Sequence, residues 1–419
     1  MVIMAVTARA LARGDFAQFV ASVSIGAFLG QIGCVGTQRT VLRNLASGNR
    51  DDPLQFASDV RNASIDISTA VFVFLPATAL LGSFGLSFLI GQGARPTDMA
   101  ATALIVWLSG VQQLTAATLR GLRRTRMAGL LEGRSGGGLV AITQAAGLFA
   151  ALLAAGGFGL DAALWLVALG YFVPVAFGTV YANRIWKKQG LQISVKLAPS
   201  VLKKNFPMAA STGLIQANGN LDVWIASLAL SGDQGAYFAA AARLAFLVNI
   251  PLTSVQTIIS PMLARLYARG ERTILTRVCR TASTVSLAGS SFLWVPMLAV
   301  PGSLLSIAYG TDYKTASIPL VILALGAAAN VAAGPCGALM TMSGREKQLA
   351  ILMAIAVCAR LTIAVAVVPL DSSIVLALTS AAVTTLLFIS IATVAYKGLG
   401  IRTWPTLHPE VKLVAKMSA

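Results

Sequence analysis

Two consecutive stretches near the end of the chain decide its fold class. They read KQLAILMAIAVCARLTIAVAVVP over residues 347–369 and SSIVLALTSAAVTTLLFISIATVAY over residues 372–396. Both are apolar almost throughout, and a helix of about 20 such residues rises about 30 Å, the thickness of the hydrocarbon core of a bilayer. Each stretch is therefore predicted to cross a membrane as an α-helix.

The rest of the chain has the same character. Its 419 residues are 56% hydrophobic and only 11% charged, with a mean hydropathy of +0.77. A soluble domain carries about 25% charged residues, so a soluble enzyme is excluded. We predict an all-α integral membrane protein with about eleven complete spans. The predicted spans are 16–42, 63–91, 98–119, 137–159, 161–182, 206–230, 236–262, 281–309, 316–342, 347–369 and 372–396.

A short apolar segment precedes these spans. Residues 1–12 contain Arg9, are followed directly by Arg13, and are too few to cross a bilayer. We expect this segment to be the end of a truncated first helix in a pattern of twelve, and a start codon assigned too late would account for the truncation.

Basic residues are concentrated in alternate connectors. The connectors after spans 16–42, 98–119, 161–182, 236–262 and 316–342, together with the tail, hold 26 of the 32 Lys and Arg residues. Positively charged connectors remain in the cytoplasm. The net charge of +17 therefore indicates membrane topology rather than nucleic-acid binding, and it predicts a cytoplasmic C-terminus.

A weak internal repeat divides the chain. Asp15 and Phe19 in GDFAQF correspond to Asp233 and Tyr237 in GDQGAYF. Both copies run in the same direction through the membrane, which is typical of a parallel repeat. We predict an N-terminal bundle over 1–182, a cytoplasmic linker over 183–205, a pseudo-symmetric C-terminal bundle over 206–396 and a cytoplasmic tail over 397–419.

Three ionisable residues lie inside predicted spans, where charge is costly and points to function. They are Asp222, Arg243 and Arg360, and a rise of about 1.5 Å per residue places all three at similar depths. Arginine binds phosphate oxygens in a bidentate manner, so Arg243 and Arg360 are candidate ligands for an anionic head group. Alternatively, Asp222 and Arg243 only neutralise each other, whereas Arg360 has no evident partner.

Neutral polar residues accompany these charges as further candidate substrate-binding groups. They could contact sugar hydroxyls or only join helices through hydrogen bonds. In the second half they are Gln216, Asn218, Asn220 and Asn249, and in the first half Gln31, Gln112, Gln113 and Gln144.

Metal and cofactor chemistry has no support in the sequence. Of the four cysteines, Cys34, Cys336 and Cys358 lie in apolar segments and Cys279 in a basic connector, without ligand spacing. The single histidine, His408, lies in the polar tail. We expect no metal site, no cofactor and no disulfide framework.

Several stretches together resemble a known family: ARALARGDFAQF, LRGLRRTRMAGLLEG and, above all, KNFPMAASTGLIQANGNLDVWIASLALSGDQGAYFAAAARLAFLVNIP. They resemble the polysaccharide transporter family, which comprises the O-antigen and exopolysaccharide flippases of the multidrug/oligosaccharidyl-lipid/polysaccharide superfamily. The resemblance implies two six-helix bundles around a central cavity. It also implies outward movement of polyprenyl-diphosphate-linked oligosaccharide units across the bacterial plasma (inner) membrane, for surface polysaccharide or lipopolysaccharide biosynthesis.

The resemblance also assigns roles to residues and partners. It makes Asp222 the family's aspartate in the seventh helix, places Arg243 at the end of the motif GAYFAAAAR, and makes Arg9 the arginine that ends the first helix. Membrane lipids and the lipid-linked oligosaccharide are the expected contacts, with glycan polymerases or glycosyltransferases as possible protein partners.

Three alternatives remain open. A multidrug/cation antiporter of the same superfamily would favour carboxylates in its cavity, yet the complete spans contain few acids. A membrane enzyme such as a polysaccharide polymerase would be expected to present a large outer loop or a buried histidine, and the sequence has neither pattern. An inert membrane scaffold would not need charges within spans.

Overall fold

The structure of the chain, a computed structural model, describes residues 2–38, 40–41, 45, 53–90, 95–122, 124–131, 137–155, 158–188, 197–198, 200–406 and 409–410. These residues form helices and connectors without a strand, which confirms the all-α prediction. They form two compact units, over 2–216 and 217–419. The boundaries predicted at 182, 205 and 396 stay a prediction.

The first unit is built from eight helices and the beginning of a ninth within the described residues. They are α1 (Val2–Ala10), α2 (Arg13–Gly33), α3 (Pro53–Thr69), α4 (Leu75–Ile90), α5 (Pro96–Gly121), α6 (Thr125–Leu131), α7 (Gly137–Ala155), α8 (Leu160–Lys188) and α9 (Ser200–Ala229). A π-helical turn, Ala70–Phe74, joins α3 to α4. The boundary with the second unit falls inside α9.

The second unit continues from α9 with eight further helices. They are α10 (Gly232–Ala245), α11 (Ile250–Ala268), α12 (Arg272–Ala299), α13 (Pro301–Tyr309), α14 (Ser317–Ala333), α15 (Cys336–Met342), α16 (Glu346–Val367) and α17 (Ser373–Leu399). Three 3₁₀ segments connect some of them: Phe246–Asn249, Thr311–Ala316 and Val368–Leu370.

Within the described part of the chain, nine helical segments are long and apolar enough to cross a membrane. They are Arg13–Gly33, Val60–Phe84, Pro96–Gly121, Leu160–Lys187, Gly232–Ser260, Arg272–Ala299, Thr311–Ala333, Glu346–Val367 and Ser373–Leu399. The predicted span 137–159 contains a shorter apolar helix, Gly138–Ala154, and 206–230 lies almost entirely within α9. Their surfaces suit lipid, because large apolar side chains such as Phe292 (81% exposed) and Val365 (78%) point outward.

Small residues let the helices approach closely. A Cβ added to Gly30 on α2 would lie 2.6 Å from the Val106 carbonyl oxygen on α5, and one added to Gly235 on α10 would lie 2.6 Å from the Ala226 carbonyl oxygen. Helices in membranes associate through such contacts, because lipid supplies no hydrophobic driving force between them.

Three predicted spans are interrupted rather than continuous. Span 236–262 changes from α10 to 3₁₀ and back to α-helix before Pro251, which has no N–H to donate. Span 281–309 breaks before Pro301, and span 316–342 breaks at Gly334, whose φ of +76° suits glycine. Apolar periodicity alone does not register these interruptions.

Candidate transport site

A buried ion pair joins α9 to α16 in the second unit. Arg360 on α16 is 5% exposed, and its Nη1 pairs with Asp222 Oδ2 on α9. Two hydroxyl groups of α17 complete the cluster: Arg360 Nη2 donates to Thr384 Oγ1 at 2.7 Å, and Ser380 Oγ donates to Asp222 Oδ2 at 2.6 Å. The pair is thus hydrogen-bonded on both sides, the condition under which buried charges are tolerated.

This pairing corrects the sequence analysis. Asp222 pairs with Arg360 and not with Arg243, and Arg360, expected to have no partner, has three. The sequence analysis overlooked Ser380 and Thr384, two hydroxyl residues spaced four apart in an apolar span, as possible partners of the charges. That spacing puts both on one face of a helix, where they can hydrogen-bond a charged pair.

Arg243 carries a positive charge without a carboxylate partner. It lies half-buried in the last turn of α10, and across the described residues no Asp or Glu forms an ion pair with it. Its Nε is buried and makes no hydrogen bond, while the Tyr309 hydroxyl lies within electrostatic range. Tyr309 belongs to an aromatic group in which the Tyr313 ring lies 5.7 Å from Tyr309 and 6.0 Å from Tyr237, between centroids.

The carboxamides of α9 divide between two faces. Asn218, four residues before Asp222, donates to the Met353 carbonyl of α16 at 2.8 Å. Met353 and Arg360 lie seven residues apart, two turns of one stripe on α16. Asn218 and Asp222 therefore connect the same two helices, while Gln216 and Asn220 are half-buried on another face of α9.

A second carboxamide contact lies at the break between α10 and α11. Asn330 Nδ2 on α14 donates to Asn249 Oδ1 at 2.7 Å, and both residues are half-buried. Sequence reasoning identified Asn249 but missed Asn330. A lone asparagine in an apolar run gives no signal by itself.

In the first unit, two of the predicted glutamines join helices. The Gln112 side chain is buried and donates to the Leu131 carbonyl, and Gln144 donates to the Val167 carbonyl at 3.1 Å. Gln113 accepts a hydrogen bond from Gln38 at 2.9 Å, and Gln31 is half-buried on α2. The helix-joining interpretation is thus observed for Gln112 and Gln144.

The cysteines are four free thiols. Cys279 was expected in a connector, but it lies buried within α12, because that helix begins at Arg272 and takes up the basic segment. Among the described residues, no group of three or more His, Cys, Asp or Glu side chains could hold a metal ion. His408 lies outside the described residues.

The long apolar helices of the described residues define the class of protein: a multi-pass α-helical membrane protein. No protein-family model matches the chain, and no curated protein sequence matches it. Solved structures do match.

One similar structure is the lipid II flippase MurJ in an inward closed conformation, with a TM-score of 0.71 and 14% identity, covering 99% of this chain and 86% of that one. Another is an inward-facing multidrug resistance MATE family transporter of the MOP superfamily, with a TM-score of 0.64, 15% identity and 94% of each chain covered. A structure of the MATE multidrug transporter DinF-BH gives a TM-score of 0.58 at 15% identity, over 94% of this chain and 90% of that one. At such identities the similarity shows the fold, which flippases and multidrug transporters share.

Proposed function

We propose that this protein is a flippase that moves polyprenyl-diphosphate-linked oligosaccharide units across the bacterial inner membrane for O-antigen or exopolysaccharide biosynthesis. The observation that carries this proposal is the uncompensated charge of Arg243. A guanidinium in a span is costly unless it faces water or an anion, and Arg243 has no carboxylate partner among the described residues. A diphosphate offers the paired anionic oxygens that such a guanidinium binds in a bidentate manner.

The charge balance of the second unit supports an anionic rather than a cationic substrate. Within the spans predicted for the second half of the chain, Arg243 and Arg360 are accompanied by one acid, Asp222, and that carboxylate is already engaged by Arg360. Arg360 remains a candidate second ligand, because its Nε is buried without a hydrogen-bond partner. The neutral groups Gln216, Asn220, Gln31 and Gln113 remain candidates for contact with the sugars.

The proposal includes orientation and partners. The C-terminus lies in the cytoplasm, where glycosyltransferases assemble lipid-linked sugars, and glycan polymerases act on the exported product. Transport needs binding and release but no bond-breaking step, so no catalytic residue is assigned.

A multidrug or cation antiporter is the second candidate function, favoured by the MATE structures that share the fold. Asp222 would then be the cation-binding group. To act so, it would have to release Arg360, whose side chain is 3% exposed and hydrogen-bonded to two hydroxyls.

The test is flipping by purified protein in proteoliposomes. A polyprenyl-diphosphate-linked oligosaccharide would be scored with a membrane-impermeant reagent for wild type, Arg243→Gln, Arg243→Lys and the control Arg265→Gln, whose arginine is exposed at the end of α11. A charge-assisted hydrogen bond contributes about 1.5–3 kcal/mol. Arg243→Gln should therefore lower flipping about 10- to 100-fold, Arg243→Lys less, and Arg265→Gln little.

The same variants in a strain deleted for the gene separate the two functions. The flippase proposal predicts lipid-linked glycan trapped on the cytoplasmic leaflet, relieved by wild type and not by Arg243→Gln. Normal glycan export in the deleted strain, together with greater sensitivity to cationic drugs, would overturn it in favour of the antiporter.

A further inference from the structure

The break between α10 and α11 changes which side chains share a face. From Arg243 to Asn249 a regular α-helix would turn about 600°, leaving the two residues about 120° apart. The chain instead makes two α-helical steps and then four 3₁₀ steps through Phe246–Asn249. At about 100° and 120° per step this gives about 680°, so Asn249 lies only about 40° from Arg243.

The break is held in place by α12. Ser290 is fully buried and donates to the Val248 carbonyl at 2.8 Å, which satisfies a backbone group inside the 3₁₀ segment. On the same helix, Gly289 leaves room for Pro251, whose Cβ would lie 3.3 Å from an added Cβ. Irregular backbone at membrane depth is tolerated only where protein or a water-filled cavity covers it. Here the protein covers it, through the Ser290 hydrogen bond and the close packing of Pro251 at Gly289.

Asn330 then completes a polar pair on this face. Its hydrogen bond to Asn249 uses one amide group and one carbonyl group. Whichever way the two carboxamides are oriented, within the described part of the chain the pair keeps one donor group and one acceptor group side by side without a protein partner. Neither residue is fully buried, so a ligand can reach them.

The axial distance fits a substrate that extends beyond its diphosphate. Two α-helical rises and four 3₁₀ rises separate Arg243 from Asn249 by about 11 Å along the helix. That separation suits a diphosphate bound at one end and a sugar at the other. A hydroxyl or acetamido group of a sugar both donates and accepts hydrogen bonds, which is what the Asn249–Asn330 pair offers.

We infer that Asn249 and Asn330 form a saccharide subsite that reads the sugar nearest the diphosphate, on the same face of the broken helix as Arg243. This inference rests on the proposed function and deepens it. Arg243 supplies attraction to every polyprenyl diphosphate, and the carboxamide pair supplies discrimination by the attached sugar.

The experiment compares two probes in the same proteoliposomes: polyprenyl diphosphate without sugar, and polyprenyl diphosphate carrying N-acetylglucosamine. The variants are Asn249→Ala, Asn330→Ala, Arg243→Gln and the control Gln348→Ala, whose carboxamide is exposed beside Arg345. We expect each asparagine variant to lower flipping of the sugar-bearing probe about tenfold, the effect of one or two lost hydrogen bonds, and to leave the sugar-free probe within twofold. Arg243→Gln should lower flipping of both probes, and Gln348→Ala neither.

Each outcome bears on a different claim. Equal losses on both probes in the asparagine variants, with lower thermal stability in detergent, would mean that the pair only joins α14 to the break, and the inference would fail while the proposed function stands. No loss on either probe would also overturn the inference. If Arg243→Gln leaves both probes at wild-type rates, the proposed function itself fails.

Discussion

At the scale of single residues, the Asp222–Arg360 pair is a costly feature of the second unit. Desolvating two ions is unfavourable, and their attraction compensates only when their remaining hydrogen-bonding groups are satisfied. Ser380 and Thr384 supply two of those bonds, whereas Arg360 Nε has none. A buried ion pair of this kind either holds the helices in register or contributes to binding a ligand.

A double-mutant cycle distinguishes these roles. Asp222→Asn and Arg360→Gln each leave a charge unpaired and should each destabilise the protein by about 3–5 kcal/mol, whereas the double variant removes both charges and should recover most of that loss. The measurement is unfolding of the purified variants in detergent. Additive losses in the double variant would contradict the coupling. If the recovered double variant flips substrate at the wild-type rate, the pair is structural; if it is stable but inactive, the pair also takes part in transport.

Sequence reasoning found the charged residues but not their partners, for a physical reason. A charge inside an apolar run stands out on its own, so Asp222, Arg243 and Arg360 are visible without a structure. Which of two arginines meets one carboxylate depends on helix rotation and packing, and periodicity does not fix these. Hydroxyl residues occur throughout membrane helices, so the four-residue spacing of Ser380 and Thr384 is only a weak signal.

At the scale of elements, the structure shows interruptions within several predicted spans and a packed segment after α17. Residues 397–419 were predicted only as a cytoplasmic tail, and within it Ile401 and Thr403 are fully buried, and Thr403 donates to the Ala333 carbonyl at 2.8 Å. The segment then crosses α12, where the Thr406 N–H donates to Thr284 Oγ1 at 2.9 Å. Low hydropathy shows that a segment does not span a membrane, but not whether it packs.

A carboxylate joins two connectors of the second unit: the connector between α16 and α17 and the one before α10. Asp371, between α16 and α17, accepts hydrogen bonds from Ser231, before α10, including one from the backbone N–H at 2.8 Å, and these hold the pKa of Asp371 below its usual value. A lowered pKa stabilises the fold above the ordinary aspartate value of about 4. That contribution is lost as the pH falls through the folded-state pKa.

We expect the unfolding temperatures of wild type and Asp371→Ala to differ by an amount that depends on pH. Wild type should unfold at a higher temperature in detergent near neutral pH, and its advantage should shrink below about pH 4. Asp312→Ala, which removes an exposed acid from another connector, is the control. A difference that stays constant from neutral pH to about pH 3 would show that the charge of Asp371 contributes nothing.

At the scale of the whole molecule, contacts within the second unit bring three of its basic segments together. Arg277 pairs with Glu410 at 3.4 Å, and Arg345 Nη2 donates to the Gly398 carbonyl at 2.8 Å. Three basic segments, namely the start of α12, the α15–α16 connector and the tail, therefore share one end of the unit. The turns bearing Ser231 and Asp371, which carry no Lys or Arg, meet at the other end.

This arrangement predicts which positions face the cytoplasm. With Cys358 replaced by serine, the remaining native cysteines are buried, so a new exposed cysteine would report its own side. Thr311→Cys, on the basic-poor end, should react with an impermeant maleimide in intact cells, and Glu346→Cys, on the basic end, only after permeabilisation. The reverse pattern would invert the topology and put the tail outside. Under the proposed function the substrate is assembled in the cytoplasm and enters from the basic end, so that result would also contradict the proposed direction of flipping.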